Sequence, residues 1–128
     1  MLSPMPALQL GTDVVAISRI AAVHARFGAR FVQRLLHPSE HAGQTFTPAQ
    51  LARRWAMKEA AAKALGTGIG QAVGFQHILI SHTPQGAPLV QCTAPMTQGW
   101  HLQVSVADDA IANTAIAFAI AINTSPTA

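Results

Sequence analysis

Apolar and polar positions change their spacing part-way along the chain. In the first half, apolar residues at 17, 20, 21, 23 and 27 fall on one helical stripe, with Arg19 and Arg26 pointing elsewhere. Residues 8–15, just ahead, predict a short strand that feeds this helix. Gly28 breaks the pattern, residues 30–36 predict a second short helical piece, and His37-Pro38 closes it. A clearer start follows at Thr47-Pro48-Ala49-Gln50. Thr47 can cap the free amides, Pro48 suits the first helical position, and Gln50 can complete a capping box. That helix is expected to run to Leu65, with Gly66 as its C-terminal cap.

The second half reads with period two. Residues 75–80 and 88–92 predict strands on either side of Thr83-Pro84-Gln85-Gly86, whose Pro and Gly favour a reversal. Residues 102–106 alternate, and residues 114–122 alternate Ala with Ile and Phe, giving one small face and one bulky face. The expected class is α+β: helices packed on a mostly antiparallel sheet that residues 8–15 join. With 128 residues the chain is expected to form one domain, with flexible ends at 1–7 and 123–128.

Composition adds two points. Half the chain is apolar, which excludes global disorder, yet only 10 % is charged and 25 residues are alanine. So few charges imply that part of the surface is covered by another subunit. There is no signal-peptide pattern and no run of roughly 20 apolar residues to span a bilayer, so the expectation is a cytoplasmic protein without a membrane partner. The single cysteine, Cys92, excludes an internal disulfide.

The charge map is more telling than the net +3. All eight basic residues lie between 19 and 63, where Glu40 and Glu59 are the acids, so that segment carries 8 − 2 = +6. No Lys or Arg follows, and Asp108 and Asp109 make the second half negative. An anionic partner met by the first half is implied: a nucleotide-like molecule, an acidic protein or a nucleic acid. No basic-aromatic sheet surface supports the last, and nucleic acid is not the expected partner.

Glu59 is four residues after Trp55, three after Ala56 and three before Ala62, so it should project toward the interior side of its helix. Two readings stand: an i,i+4 pair with Lys63, or a carboxylate that meets a cation. Asp13, in Gly11-Thr12-Asp13-Val14-Val15, either caps the helix that follows or supplies a second oxygen ligand beside Glu59. Two carboxylates suit magnesium, which keeps waters and takes other oxygens from a bound phosphate. The glycines of Gly66-Thr67-Gly68-Ile69-Gly70 follow a helix rather than precede one, so they read as a cap and turn, not as a Walker loop. Ser105, Asp108 and His101 lack the nucleophile elbow of a hydrolase.

Taken together, these segments resemble the holo-acyl-carrier-protein synthase family, the small type of 4′-phosphopantetheinyl transferase. Gly11-Thr12-Asp13 with Ile17-Ser18-Arg19-Ile20 is similar to its opening motif and first helix. The run from Arg54-Trp55-Ala56-Met57-Lys58-Glu59-Ala60 through Lys63-Ala64-Leu65-Gly66-Thr67-Gly68 is similar to its signature, and Phe75-Gln76-His77-Ile78 through Gly86-Ala87-Pro88 to its next strand pair. The resemblance covers roughly residues 8–122. It implies an α+β fold, assembly as a homotrimer with sites between subunits, and transfer of the phosphopantetheine arm of coenzyme A to a serine of an apo acyl carrier protein, with release of adenosine 3′,5′-bisphosphate. It further implies that Asp13 and Glu59 hold Mg2+, that Lys63 contacts the coenzyme A diphosphate, and that Arg54 holds another phosphate. Glu59, Asp13 and Lys63 then carry catalysis, and Arg19 and Arg26 meet the acidic carrier protein. A carboxylate or a metal-bound water would take the serine proton.

The chain departs from the family pattern in three places. The usual Ser-x-Ser-His reads Ser105-Val106-Ala107-Asp108, the usual Lys between Gly and Pro is Ala87, and the loop between Glu40 and Pro48 is short. Asp108 has the wrong sign beside a phosphate-rich ligand unless it turns away or meets a cation. A relative that keeps the fold and a carrier-protein or nucleotide surface without catalysis is the alternative reading.

Overall fold

The computed structural model describes residues 7–41 and 43–124. Strand β1 (Leu8–Ala16) leads directly into helix α1 (Ile17–Phe27), followed by α2 (Ala29–Leu35), a one-turn α3 (Pro38–His41) and the long α4 (Pro48–Ala64). Strands β2 (Ile78–His82), β3 (Pro88–Cys92), β4 (Trp100–Asp109) and β5 (Thr114–Asn123) complete the chain. The class is α+β, as the sequence predicts, and every strand pairing is antiparallel. The strands divide into two sheets, however: β1-β5-β4, and a separate β2-β3 hairpin.

The α4 N-terminus forms as its sequence dictates. The Thr47 side chain accepts from the Gln50 amide at 3.1 Å, and the Gln50 side chain accepts from the Thr47 amide at 2.8 Å. At the other end the amides of Thr67 and Gly68 return to the Ala62 carbonyl, and Gly66 and Gly68 take positive φ, so the glycine run is a cap and turn. The strand expected from Phe75 begins three residues later, because Phe75–His77 forms a 3-10 turn held by Gly74 donating to His77 Nδ1 at 2.9 Å. Of the ends expected to be flexible, residues 1–6 and 125–128 lie outside the described residues. Asn123 donates to the Ala7 carbonyl at 2.8 Å and Thr124 to the Gly99 carbonyl at 2.7 Å.

Helix α4 lies on the β1-β5-β4 sheet, and the alternation in β5 faces the opposite way from a usual core. Ala115, Ala117, Ala119 and Ala121 are buried against the helix, whereas Phe118 is 52 % exposed. Close approach explains the choice. A Cβ on Gly11 would lie 2.1 Å from the Ala60 carbonyl oxygen and 2.5 Å from the Ala64 amide nitrogen, so α4 backbone rests on β1 with no room for a side chain. Small residues on this face are what let helix and sheet meet. The bulky positions fall on the outer face, where Leu8, Leu10, Val14 and Phe118 are exposed large hydrophobics.

Candidate active site

Strand geometry puts Asp13 on the same face as Gly11, two residues on, and therefore beside α4. It is not a helix cap: the residue preceding α1 is Ala16, with no side-chain cap of its own, and Asp13 sits within β1 opposite Ala117. The start of α1 is served instead by Asn113 in the β4-β5 turn, whose Oδ1 accepts from the Ser18 amide at 2.9 Å. From α4, Lys63 reaches Asp13 Oδ1 at 3.1 Å. The ammonium expected beside Glu59 is thus hydrogen-bonded to the other carboxylate.

Glu59 is half-buried on the same side of α4. Burial pushes its carboxyl above the ordinary range, and the Asp13 charge pushes it further, while Lys63 and Arg19 act in the opposite direction. Asp13 Oδ2 is buried and has no hydrogen-bond partner. Two carboxylates repelling each other, one with a buried lone oxygen, form a site short of positive charge. Two hard oxygen donors fit magnesium, which takes its remaining ligands from water and phosphate. Among the described residues no three His, Cys, Asp or Glu side chains converge as a complete metal cage.

A second carboxylate cluster lies further along α4, and the sequence reading missed it. Lys58, fully buried, donates to Glu40 Oε1 at 2.6 Å, to the Leu35 carbonyl at 2.8 Å and to the Phe75 carbonyl at 3.0 Å. Glu40 Oε1 also accepts from the His37 amide, and Oε2 accepts from the Ile80 amide at 3.0 Å. Burial depresses the Lys58 ammonium, and the Glu40 hydrogen bond opposes that effect. Arg54 stands 3.6 Å from Glu40 Oε2, an ion pair without a hydrogen bond, and its Nη1 is buried without a partner. Its guanidinium lies 5.7 Å from the centre of the Phe46 ring.

Arg19 and Arg26 are both exposed on α1. Arg19 lies over the Trp55 ring at 5.9 Å and Arg26 over Phe27 at 5.1 Å. Trp55 packs between Phe31 and Phe75, and beside it opens a cleft of about 410 Å³ lined by Val23, Phe27, Arg30, Arg34, Trp55 and Phe75 among others. Asp108, the residue of unfavourable sign, meets a cation: Arg53 Nη1 is 2.9 Å from its Oδ1.

Residues 9–119 match the model of the 4′-phosphopantetheinyl transferase superfamily. The chain belongs to that superfamily. It is 45 % identical over 116 residues to the holo-[acyl-carrier-protein] synthase of Shewanella sp. strain MR-7, an alignment spanning 88 % of each chain. Among solved structures it is similar to the holo-[acyl-carrier-protein] synthase of Neisseria meningitidis, with TM-score 0.78 and 37 % identity over 88 % of this chain and 96 % of that one. The Helicobacter pylori synthase, solved in complex with coenzyme A, gives TM-score 0.80 and 35 % identity over 88 % and 98 %. Membership in the superfamily gives a context for the two carboxylate clusters: both are built against α4, which carries signature residues 54–64.

Proposed function

We propose that the protein is a holo-acyl-carrier-protein synthase, which transfers the 4′-phosphopantetheine arm of coenzyme A to a serine of an apo acyl carrier protein and releases adenosine 3′,5′-bisphosphate. The observation that carries this reading is the buried, unpartnered Asp13 Oδ2 beside a Glu59 carboxyl raised by burial and by Asp13 itself. Asp13 and Glu59 are assigned as the Mg2+ ligands. When bound there, the ion supplies charge neutralisation at the coenzyme A diphosphate, which is what phosphoryl transfer most needs.

The remaining roles belong to cations of the chain. Lys63, held at the site by Asp13, is assigned to the diphosphate. Arg54, with a buried Nη1 that lacks a partner, is assigned to a further phosphate of coenzyme A. Arg19 and Arg26 are assigned to the acidic carrier protein, and the apolar cleft next to them offers area for the same partner. Arg19 also acts on the Glu59 charge, so the carrier surface lies close to the carboxylate pair. A cytoplasmic location is part of the same reading.

Assembly as a homotrimer is part of the same reading. The outer sheet face, with Leu10 69 % and Phe118 52 % exposed, supports contact with further copies of this chain. The number three rests on the family resemblance. Light scattering on the purified protein checks it: a trimer mass is expected, and a smaller species for Phe118→Lys.

Incubation with apo acyl carrier protein, coenzyme A and magnesium, followed by mass spectrometry of the carrier, tests the activity. A phosphopantetheine mass gain that needs magnesium is expected. No gain with any of several carriers favours a non-catalytic relative.

A further inference from the structure

Helix α1 begins without a cap of its own. Ala16 precedes it with no side-chain hydrogen bond, and its first turn holds no acidic residue. Amides at a helix start need acceptors from outside the helix. One residue supplies them from 95 positions away: the Asn113 carbonyl accepts from the Ile17 amide at 3.1 Å, and Asn113 Oδ1 accepts from the Ser18 amide at 2.9 Å. Asn113 Nδ2 then donates to Ser18 Oγ at 2.8 Å.

The β4-β5 turn is shaped to present this residue. Asp109 Oδ1 accepts from the Ile111 amide at 2.9 Å, and the Ala110 carbonyl accepts from the Asn113 amide at 3.2 Å. Asn113 sits at φ 52°, and among the described residues it is the only non-glycine with positive φ. That region suits Gly and Asn, and of the two only Asn carries a side-chain donor and acceptor for Ser18. The side-chain bonds are solvent-exposed, so they add little to global stability. Their leverage is geometric.

Strand β1 runs into α1 with no loop between Ala16 and Ile17, so this junction sets how the helix leaves the sheet. Arg19 stands in the first turn, where its guanidinium lies 5.9 Å from the centre of the Trp55 ring and its charge acts on Glu59. Ile20, 1 % exposed, anchors the helix beyond that turn, and Arg26 lies in the last turn. Fraying at the start therefore displaces Arg19 and leaves Arg26 in place. A helix of 11 residues gains little from propensity alone, so its first turn depends on the clamp.

We propose that Asn113 is a positioning residue for carrier-protein recognition: it pins the first turn of α1 and so fixes Arg19 beside Trp55 and Glu59. The assignment rests on the transferase reading given above and extends it from Arg19 to the residue that places it.

Asn113→Gly keeps the backbone conformation and removes only the side-chain bonds. In the transfer assay its KM for the apo carrier protein is expected to rise about fivefold, the usual worth of a helix cap, while the KM for coenzyme A stays within about twofold. In an Arg19→Ala background the same substitution should add less than about twofold, whereas in an Arg26→Ala background it should keep its full effect. Equal rises for carrier and coenzyme A, or a full effect without Arg19, overturn the proposal, because general loosening of the fold would not depend on Arg19.

Hydrogen exchange at the Ser18 amide reads the clamp with neither carrier protein nor coenzyme A present. It therefore separates failure of the clamp from failure of the transferase reading. Exchange about fivefold faster in Asn113→Gly, and restored in Asn113→Asp, which keeps an acceptor for that amide, supports the clamp. Exchange unchanged in Asn113→Gly overturns it.

Discussion

Two carboxylate clusters built against one helix do opposite things with the same chemistry. Around Glu40 both oxygens are used: Lys58, the His37 amide and the Ile80 amide all donate to it, and Arg54 stands nearby. Around Asp13 one oxygen has Lys63 and the other has nothing, while burial and the Asp13 charge push the neighbouring Glu59 carboxyl above its ordinary range. The first cluster is complete within the chain and ties α3, α4, β2 and the end of α2 together. The second is incomplete within the chain, and its deficit matches a divalent ion. Satisfaction of polar groups, more than burial, separates a structural carboxylate from a ligand-binding one.

The sharpest way to break this contrast is Glu40→Gln. It leaves the buried Lys58 without a counter-charge and is expected to cost about 3–5 kcal/mol, read from denaturant unfolding. Loss within a few tenths of a kcal/mol would show that the cluster does not hold the fold. Gly11→Ala comes next, at about 3 kcal/mol, since its Cβ would drive α4 off β1. Because that contact also sets the spacing between Asp13 and Glu59, the folded fraction is expected to lose magnesium-dependent activity, which a transfer assay on the refolded protein checks.

The smallest effect has the most informative sign. A carboxyl raised in the fold contributes its stability below the unfolded carboxylate range and loses it as pH rises through the folded value. Glu59→Gln should therefore melt at a higher temperature than the parent near neutral pH without metal, and at the same temperature below about pH 4. Glu40→Gln instead lowers the melting temperature near neutral pH, because the buried Lys58 loses its counter-charge. Melting curves of Glu59→Gln and its parent at the two pH values check the sign.

Much of this arrangement was legible in sequence because it is local. Thr47-Pro48-Ala49-Gln50 specified its helix start through neighbours three residues apart, and the alternation of 114–122 specified a strand. That alternation did not say which face turns inward. The contact between Gly11 and the α4 backbone selects the alanine face. The Glu40–Lys58 cluster spans 18 residues and joins elements whose meeting no periodicity records. A signal was present: Lys58 sits between Met57 and the alanines at 60–62, where a charge has no solvated face. Asp13 illustrates the converse, since a residue near a helix start invited a capping role that Asn113, 95 residues from Ser18, performs.

The central claim is that Asp13 and Glu59 share one cation at the coenzyme A diphosphate. Calorimetric titration of coenzyme A into the protein, with and without magnesium, tests it most directly when the parent is compared with Glu59→Gln. The account predicts that magnesium tightens binding about tenfold or more in the parent and leaves the variant nearly unchanged. Equal tightening in both proteins would contradict it.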